Sequence, residues 1–208
     1  MVQKSVSQKS PRPLTATAQK KPMITTSLKN WMAWEGGVDL VAATAPGLAM
    51  PNVIVHVARM VHTPAGSSPS GMIFWQPDPA QPPVVMGFVS GDAKVGAYFG
   101  PNIFADTPFQ GAPVLDAKIE IETGADFVGA KVTAGGHVFR TKLSGLQGAA
   151  LVNRTPAPMS PFFQQGIESA ATTAQLWVDD VEIAILIPPQ GMTGGPAAVS
   201  APCGLYAR

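Results

Sequence analysis

Cysteine is nearly missing from this chain. Cys203 stands alone among 208 residues, which excludes an intrachain disulfide and a cysteine metal cluster. Long apolar runs are missing too. None reaches the ~18 residues a membrane-spanning helix needs, and the basic start lacks the apolar segment of roughly 7–15 residues that a secretory signal carries. A cytoplasmic protein or a subunit of an assembled particle is therefore expected, with no membrane span. Charge is also scarce: 13% of residues are charged, where soluble domains average ~25%. Such a surface repels its neighbours weakly, which eases association.

The usual chemical signatures do not occur. There is no G-x-S-x-G elbow for a nucleophilic serine and no glycine loop of phosphate-cradling spacing. Of three histidines, His56 and His62 fall on one expected strand, six residues and so ~20 Å apart, too far to share a metal. Asp179, Asp180 and Glu182 read as a solvated strand end, with Asp180 and Glu182 on one face. No metal, no cofactor and no catalytic residue is expected. An enzyme would need a cavity that holds His56, His62 or His137 beside an acid.

What is present points to β-structure. Hydrophobic residues make up 46%, enough for a core, and 21 glycines with 21 prolines suit frequent turns. The expected fold is all-β, an antiparallel sandwich or barrel of about eight strands, with one short helix and a basic N-terminal arm. Apolar alternation and turn residues mark strands at 52–63, 72–76, 84–90, 94–99, 114–123 and 176–187. On 114–123, Leu115, Ala117, Ile119 and Ile121 share one face, and Asp116, Lys118, Glu120 and Glu122 the other. Gly135-Gly136 centres a two-residue hairpin that pairs Val132 with Phe139, Val128 with Leu143 and Lys131 with Arg140. Because like charges in register destabilise, Glu120 or Glu122 is expected beside Lys131 and Arg140. Ser160-Pro161 opens the expected helix, with Phe163, Ile167, Ala170 and Ala174 on its apolar stripe. Ser27 is read as the cap of a short turn carrying Leu28, Trp31 and Met32.

Three regions follow: a flexible arm at 1–29, a β-domain at 30–189 and an irregular Gly/Pro-rich tail at 190–208. The arm carries Lys4, Lys9, Arg12, Lys20, Lys21 and Lys29 with no acid, while the rest has eight basic and thirteen acidic residues, a formal −5. That asymmetry, followed by Trp31 and Trp34, suggests an arm that docks on neighbouring subunits; nucleic acid is a weaker candidate, since six charges neutralise few phosphates. The leading expectation is a non-catalytic, self-associating structural protein and homo-oligomer, capsid-like in one variant. The alternative is a β-barrel binder of a small apolar ligand, with Phe74, Trp75, Phe88, Tyr98 and Phe99 as its pocket inside the barrel. A small cyclase- or isomerase-type enzyme is the second alternative.

Overall fold

The computed structural model describes residues 30–156 and 161–208. Strands β1 (Trp31–Ala42), β2 (Val53–Thr63), β3 (Gly66–Trp75) and β4 (Val84–Val89) form an antiparallel meander. Helix α1 (Ala93–Ile103) then carries the chain to β5 (Val114–Asp116), which pairs parallel to β4. A second meander runs through β6 (Lys118–Thr123), β7 (Phe127–Ala134) and β8 (His137–Leu146). The long β10 (Phe163–Val178) extends it and also pairs with β9 (Ala150–Arg154) and β11 (Val181–Ile183). Finally β12 (Ala198–Ala207) enters between β1 and β10 and joins both meanders into one sheet.

That sheet runs β5-β4-β3-β2-β1-β12-β10-β8-β7-β6. Its two edges are consecutive strands, separated only by Ala117, so the chain itself draws the edges together. The result is a nearly closed, barrel-like sheet. All-β architecture is as the composition predicts, with twelve strands among the described residues where about eight are expected. The inner face is packed by Val38 and Leu40, Val55 and Val57, Ile73, Phe88, Val132, Phe139, Leu143 and Leu176. Burying a side chain of this size stabilises by ~1.5–3 kcal/mol, so the interior supplies most of the driving force for folding.

Several local expectations hold. The Gly135-Gly136 hairpin has positive φ at both glycines and the predicted pairs Val132↔Phe139, Val128↔Leu143 and Lys131↔Arg140. Glu120 stands directly opposite Lys131, and Leu115, Ala117, Ile119 and Ile121 share the core-facing side.

Other elements differ. The expected helix after Ser160-Pro161 is strand β10, because pairing with β8, β9, β11 and β12 outweighs the helix propensity of its alanines. Phe163 and Ile167, assigned to a buried stripe, are exposed at 44% and 38%. The expected strand at 94–99 is α1: Asp92 accepts from the backbone N–H groups of Lys94 and Val95, and the helix supplies the crossover that parallel β4 and β5 require. Asp179-Asp180 is an exposed tight turn with φ of 50° and 64° at the end of β10, so the strand expected at 176–187 doubles back there into β11. The tail is irregular only before Ala198; beyond it lies β12, at the centre of the sheet. Trp31 and Met32 belong to β1, and Ser27, Leu28 and the basic arm lie outside the described residues.

One further feature positions the site. On β1, Val38, Leu40 and Ala42 face the interior, but Met32 and Trp34, of the same parity, pack outside with α1 residue Phe99. Gly36, at φ 62°, stands between the two sets. On β2 the register against β3 shifts between Ala58 and Val61, and on β10 against β12 between Ile167 and Ser169. A bulge bends its strand and sharpens the twist. These irregularities line up across the sheet and crease it outward beneath α1.

Candidate active site

The crease brings distant residues together. Tyr206 pairs with Met32 and His56 with Asp39, and those two β1 partners are seven residues, roughly 23 Å, apart along a straight strand. Yet the rings of His56 and Tyr206 lie 6.3 Å apart. Trp34 stacks on Tyr206 at 4.5 Å, and its indole lies over Gly204, where a Cβ would come within 2.1 Å of the ring.

Around these rings are two adjoining cavities of about 150 and 120 Å³, both bordered by Ile54, His56, Met192, Thr193 and Tyr206. The larger one is walled by Met72, Ile103, Phe104, Phe109 and Phe162. The smaller one reaches Asp39, Gln164 and Glu168. Both are well below the ~300–1,000 Å³ of sites for drug-sized ligands, so only a small molecule would fit them.

His56 Nδ1 is hydrogen-bonded to the Asp39 carboxylate. Burial opposes the charged imidazolium, but the Asp39 charge and hydrogen bond outweigh it and raise the His56 pKa above its ordinary value. With Nδ1 so occupied, Nε2 is the position that exchanges a proton. Tyr206 is pushed the same way: desolvation, then the charges of Asp39 and Glu168, hold its hydroxyl protonated far above the usual phenol range. It is a donor at every physiological pH.

A second polar network backs the smaller cavity. Arg154 donates to both oxygens of Glu168 at 2.5 and 2.6 Å, and Gln164 Nε2 donates to Glu168 Oε1 at 2.8 Å. Glu168 and Gln164 are 7% and 4% exposed. Among the described residues two buried polar atoms lack a hydrogen-bond partner, Trp34 Nε1 and Gln164 Oε1, and both residues border cavities of this region. Unpaired buried polar atoms are costly and mark places where a ligand or water completes the network. Among the described residues no three His, Cys, Asp or Glu side chains form a metal-holding group.

Of the residues singled out from sequence, His56 and Trp34 reach this region, while the five proposed pocket residues do not converge on the two cavities. Trp75 and Phe88 fill the barrel interior, and Phe74 packs outside against Phe109. Tyr98 holds the backbone of Trp31, and Phe99 is buried beneath the crease beside Trp34, on the edge of a cavity of about 10 Å³. The two cavities beside His56 and Tyr206 are lined instead by other residues. Each histidine does have an acid partner, but His62 with Glu35 and His137 with Asp179 are exposed pairs. Asp39, Gln164, Glu168, Arg154 and Tyr206 carried no local signal. No described helix is long and apolar enough to cross a membrane.

No protein-family model matches this sequence, and no curated protein does. Among solved structures, an acetoacetate decarboxylase aligns over 86% of this chain and 84% of its own, with a TM-score of 0.36 and 8% identity. The acetoacetate decarboxylase of Legionella pneumophila aligns over 97% and 94%, with a TM-score of 0.28 and 10% identity. At these scores no residue role or substrate carries over. The expectation of a non-catalytic assembly protein that is not an enzyme is nonetheless corrected: these matched structures are enzymes by name, and nothing found supports a shell or capsid role. What this chain can do chemically has to be read from its own side chains.

Proposed function

We propose that the protein is a small acid–base enzyme of isomerase type, acting on a small, neutral, largely apolar carbonyl compound bound beneath the crease. The observation that supports it is His56, fixed through Nδ1 by Asp39 and bordering both cavities beside the phenol of Tyr206. This meets the condition that an enzyme reading sets: a cavity with a histidine beside an acid.

The chemistry follows from the groups. Nε2 of neutral His56 takes a proton from the carbon next to the carbonyl. The C–H electron pair becomes the C=C bond of an enolate, whose oxygen accepts a hydrogen bond from Tyr206. The imidazolium, held by the Asp39 carboxylate, then returns the proton to the same carbon or to the far end of the enolate system. Atoms and electrons balance without a co-reactant. Ligand charge is limited by the walls: Asp39 and Glu168 both border the smaller cavity, and Arg154 is spent on Glu168. A carboxylate ligand would meet two like charges there, so a neutral ligand is favoured. No lysine borders either cavity, so imine formation with a carbonyl has no nucleophile among the described residues.

The test is solvent exchange. Cyclohexanone derivatives are incubated with the protein in D2O and their α-protons followed by NMR. The wild-type protein should accelerate exchange above the buffer rate, and His56→Gln should lower that acceleration by ~10²–10⁴. Binding without exchange would reduce the protein to a carrier for the same ligands; absence of binding would overturn the reading.

A further inference from the structure

The smaller cavity has a polarity that comes from one amide. Gln164 has Nε2 on one side and Oε1 on the other, and which end faces Glu168 is not a free choice. Arg154 donates to both oxygens of Glu168, so that carboxylate is ionised and can only accept. The Gln164 NH2 must therefore face it, as it does at 2.8 Å. The other end, Oε1, is left as an acceptor, buried and without a partner, on a residue that borders the cavity. Among the described residues the fixed charges bordering that cavity, Asp39 and Glu168, are also acceptors, and no Lys or Arg side chain borders it. Tyr206, the cross-strand partner of Gln164, keeps its hydroxyl proton and so offers the cavity a donor as well as an acceptor.

We propose that Gln164 is the specificity-determining residue of this site, and that it selects ligands presenting a hydroxyl donor to Oε1 while their carbonyl accepts from Tyr206. The substrate class is then a small neutral hydroxyketone. This rests on the acid–base reading above and sharpens it. A site built to pair a buried acceptor rejects an analogue that cannot donate, because the acceptor is then left buried and unpaired. Arg154 acts through Glu168 as a positioning residue, and Glu168, besides bordering the cavity, fixes which end of the Gln164 amide is offered.

Three probes of similar size separate the cases: 4-hydroxycyclohexanone, 4-methoxycyclohexanone and cyclohexane-1,4-dione. Each has a ketone, and only the first can donate. NMR titration of the full chain should show the hydroxyketone binding at least tenfold more tightly than the other two. In Glu168→Gln the neighbour can donate as well as accept, so the Gln164 amide can turn over. The tenfold preference should then fall to about twofold or less, with dione affinity retained. Gln164→Leu, checked for folding by its melting curve, should likewise abolish the preference. Equal affinity of the wild-type protein for all three probes would overturn this inference and leave the acid–base reading standing. Retention of the preference in folded Gln164→Leu would also overturn it. Failure of all three probes to bind would remove both.

Discussion

The barrel interior and the outer crease are built from the same strands and obey opposite rules. Inside, Phe88, Phe139, Leu40 and Leu143 are fully buried and apolar, and no ionisable side chain belongs to the cluster. Outside, across β1, β2, β9, β10 and β12, one small region holds Asp39, His56, Glu168, Arg154, Gln164 and Tyr206, with Gln164 Oε1 buried and unpaired among the described residues. The interior is apolar, while the crease keeps polar groups buried where a ligand or water would complete their hydrogen bonds. The apolar core and the proposed chemistry thus fall on opposite faces of one sheet.

That division can be broken experimentally. The largest expected effect is Phe88→Ala, which should cost ~3–5 kcal/mol in urea unfolding through loss of burial and a cavity, while the remaining folded protein keeps its ligand affinity. Loss of both together would show that the faces are coupled. Next is Arg154→Met, which leaves the Glu168 carboxylate buried without its cation and should cost ~3 kcal/mol. The double change Arg154→Met with Glu168→Leu should recover much of that loss in the same unfolding assay.

A pH effect of intermediate size comes from His56. Its pKa is raised in the folded protein, so the fold binds the proton more tightly than the unfolded chain does. The resulting stability is fully present below the ordinary histidine value of about 6.5 and is lost as pH rises through the higher folded value. Melting temperature should therefore fall on going from acidic to alkaline buffer across that window, and Asp39→Asn should flatten the dependence. Smaller still is Gly195→Ala. The new Cβ would stand 2.1 Å from Arg154 Nη2, so the guanidinium must shift off Glu168, at ~1 kcal/mol by thermal melting. The smallest is Glu120→Gln, an exposed neighbour of Lys118 and Lys131, for which no change in melting temperature should be resolvable.

How far the sequence reveals each face follows from the same contrast. The interior is written in local alternation, which is why the Gly135-Gly136 hairpin, its register and the β6 face are legible without a structure. Elements whose form depends on remote pairing are not. Nothing near Phe163 indicates that four other strands meet it, so an alanine-rich run reads as a helix. Nothing near Pro202 tells that Ala198–Ala207 lies at the sheet centre. The site is still less legible, because Asp39 and Tyr206 are far apart in sequence and meet only where Gly36 and two bulges reverse which side chains face outward. His56 was visible as a candidate. Its partner Asp39, directly opposite on the neighbouring strand, becomes visible only with the register.

The seam at Ala117 has a consequence for how this sheet could be altered. Most barrels are shut by a ladder between their first and last strands, so their girth is a count of strands. Here the two edge strands are tied by a single residue of chain, and the circumference is set by a covalent tether. Lengthening that tether would act as an expansion joint, widening the barrel without adding a strand, whereas a strand-removing deletion elsewhere would leave the same ring too small for its filling.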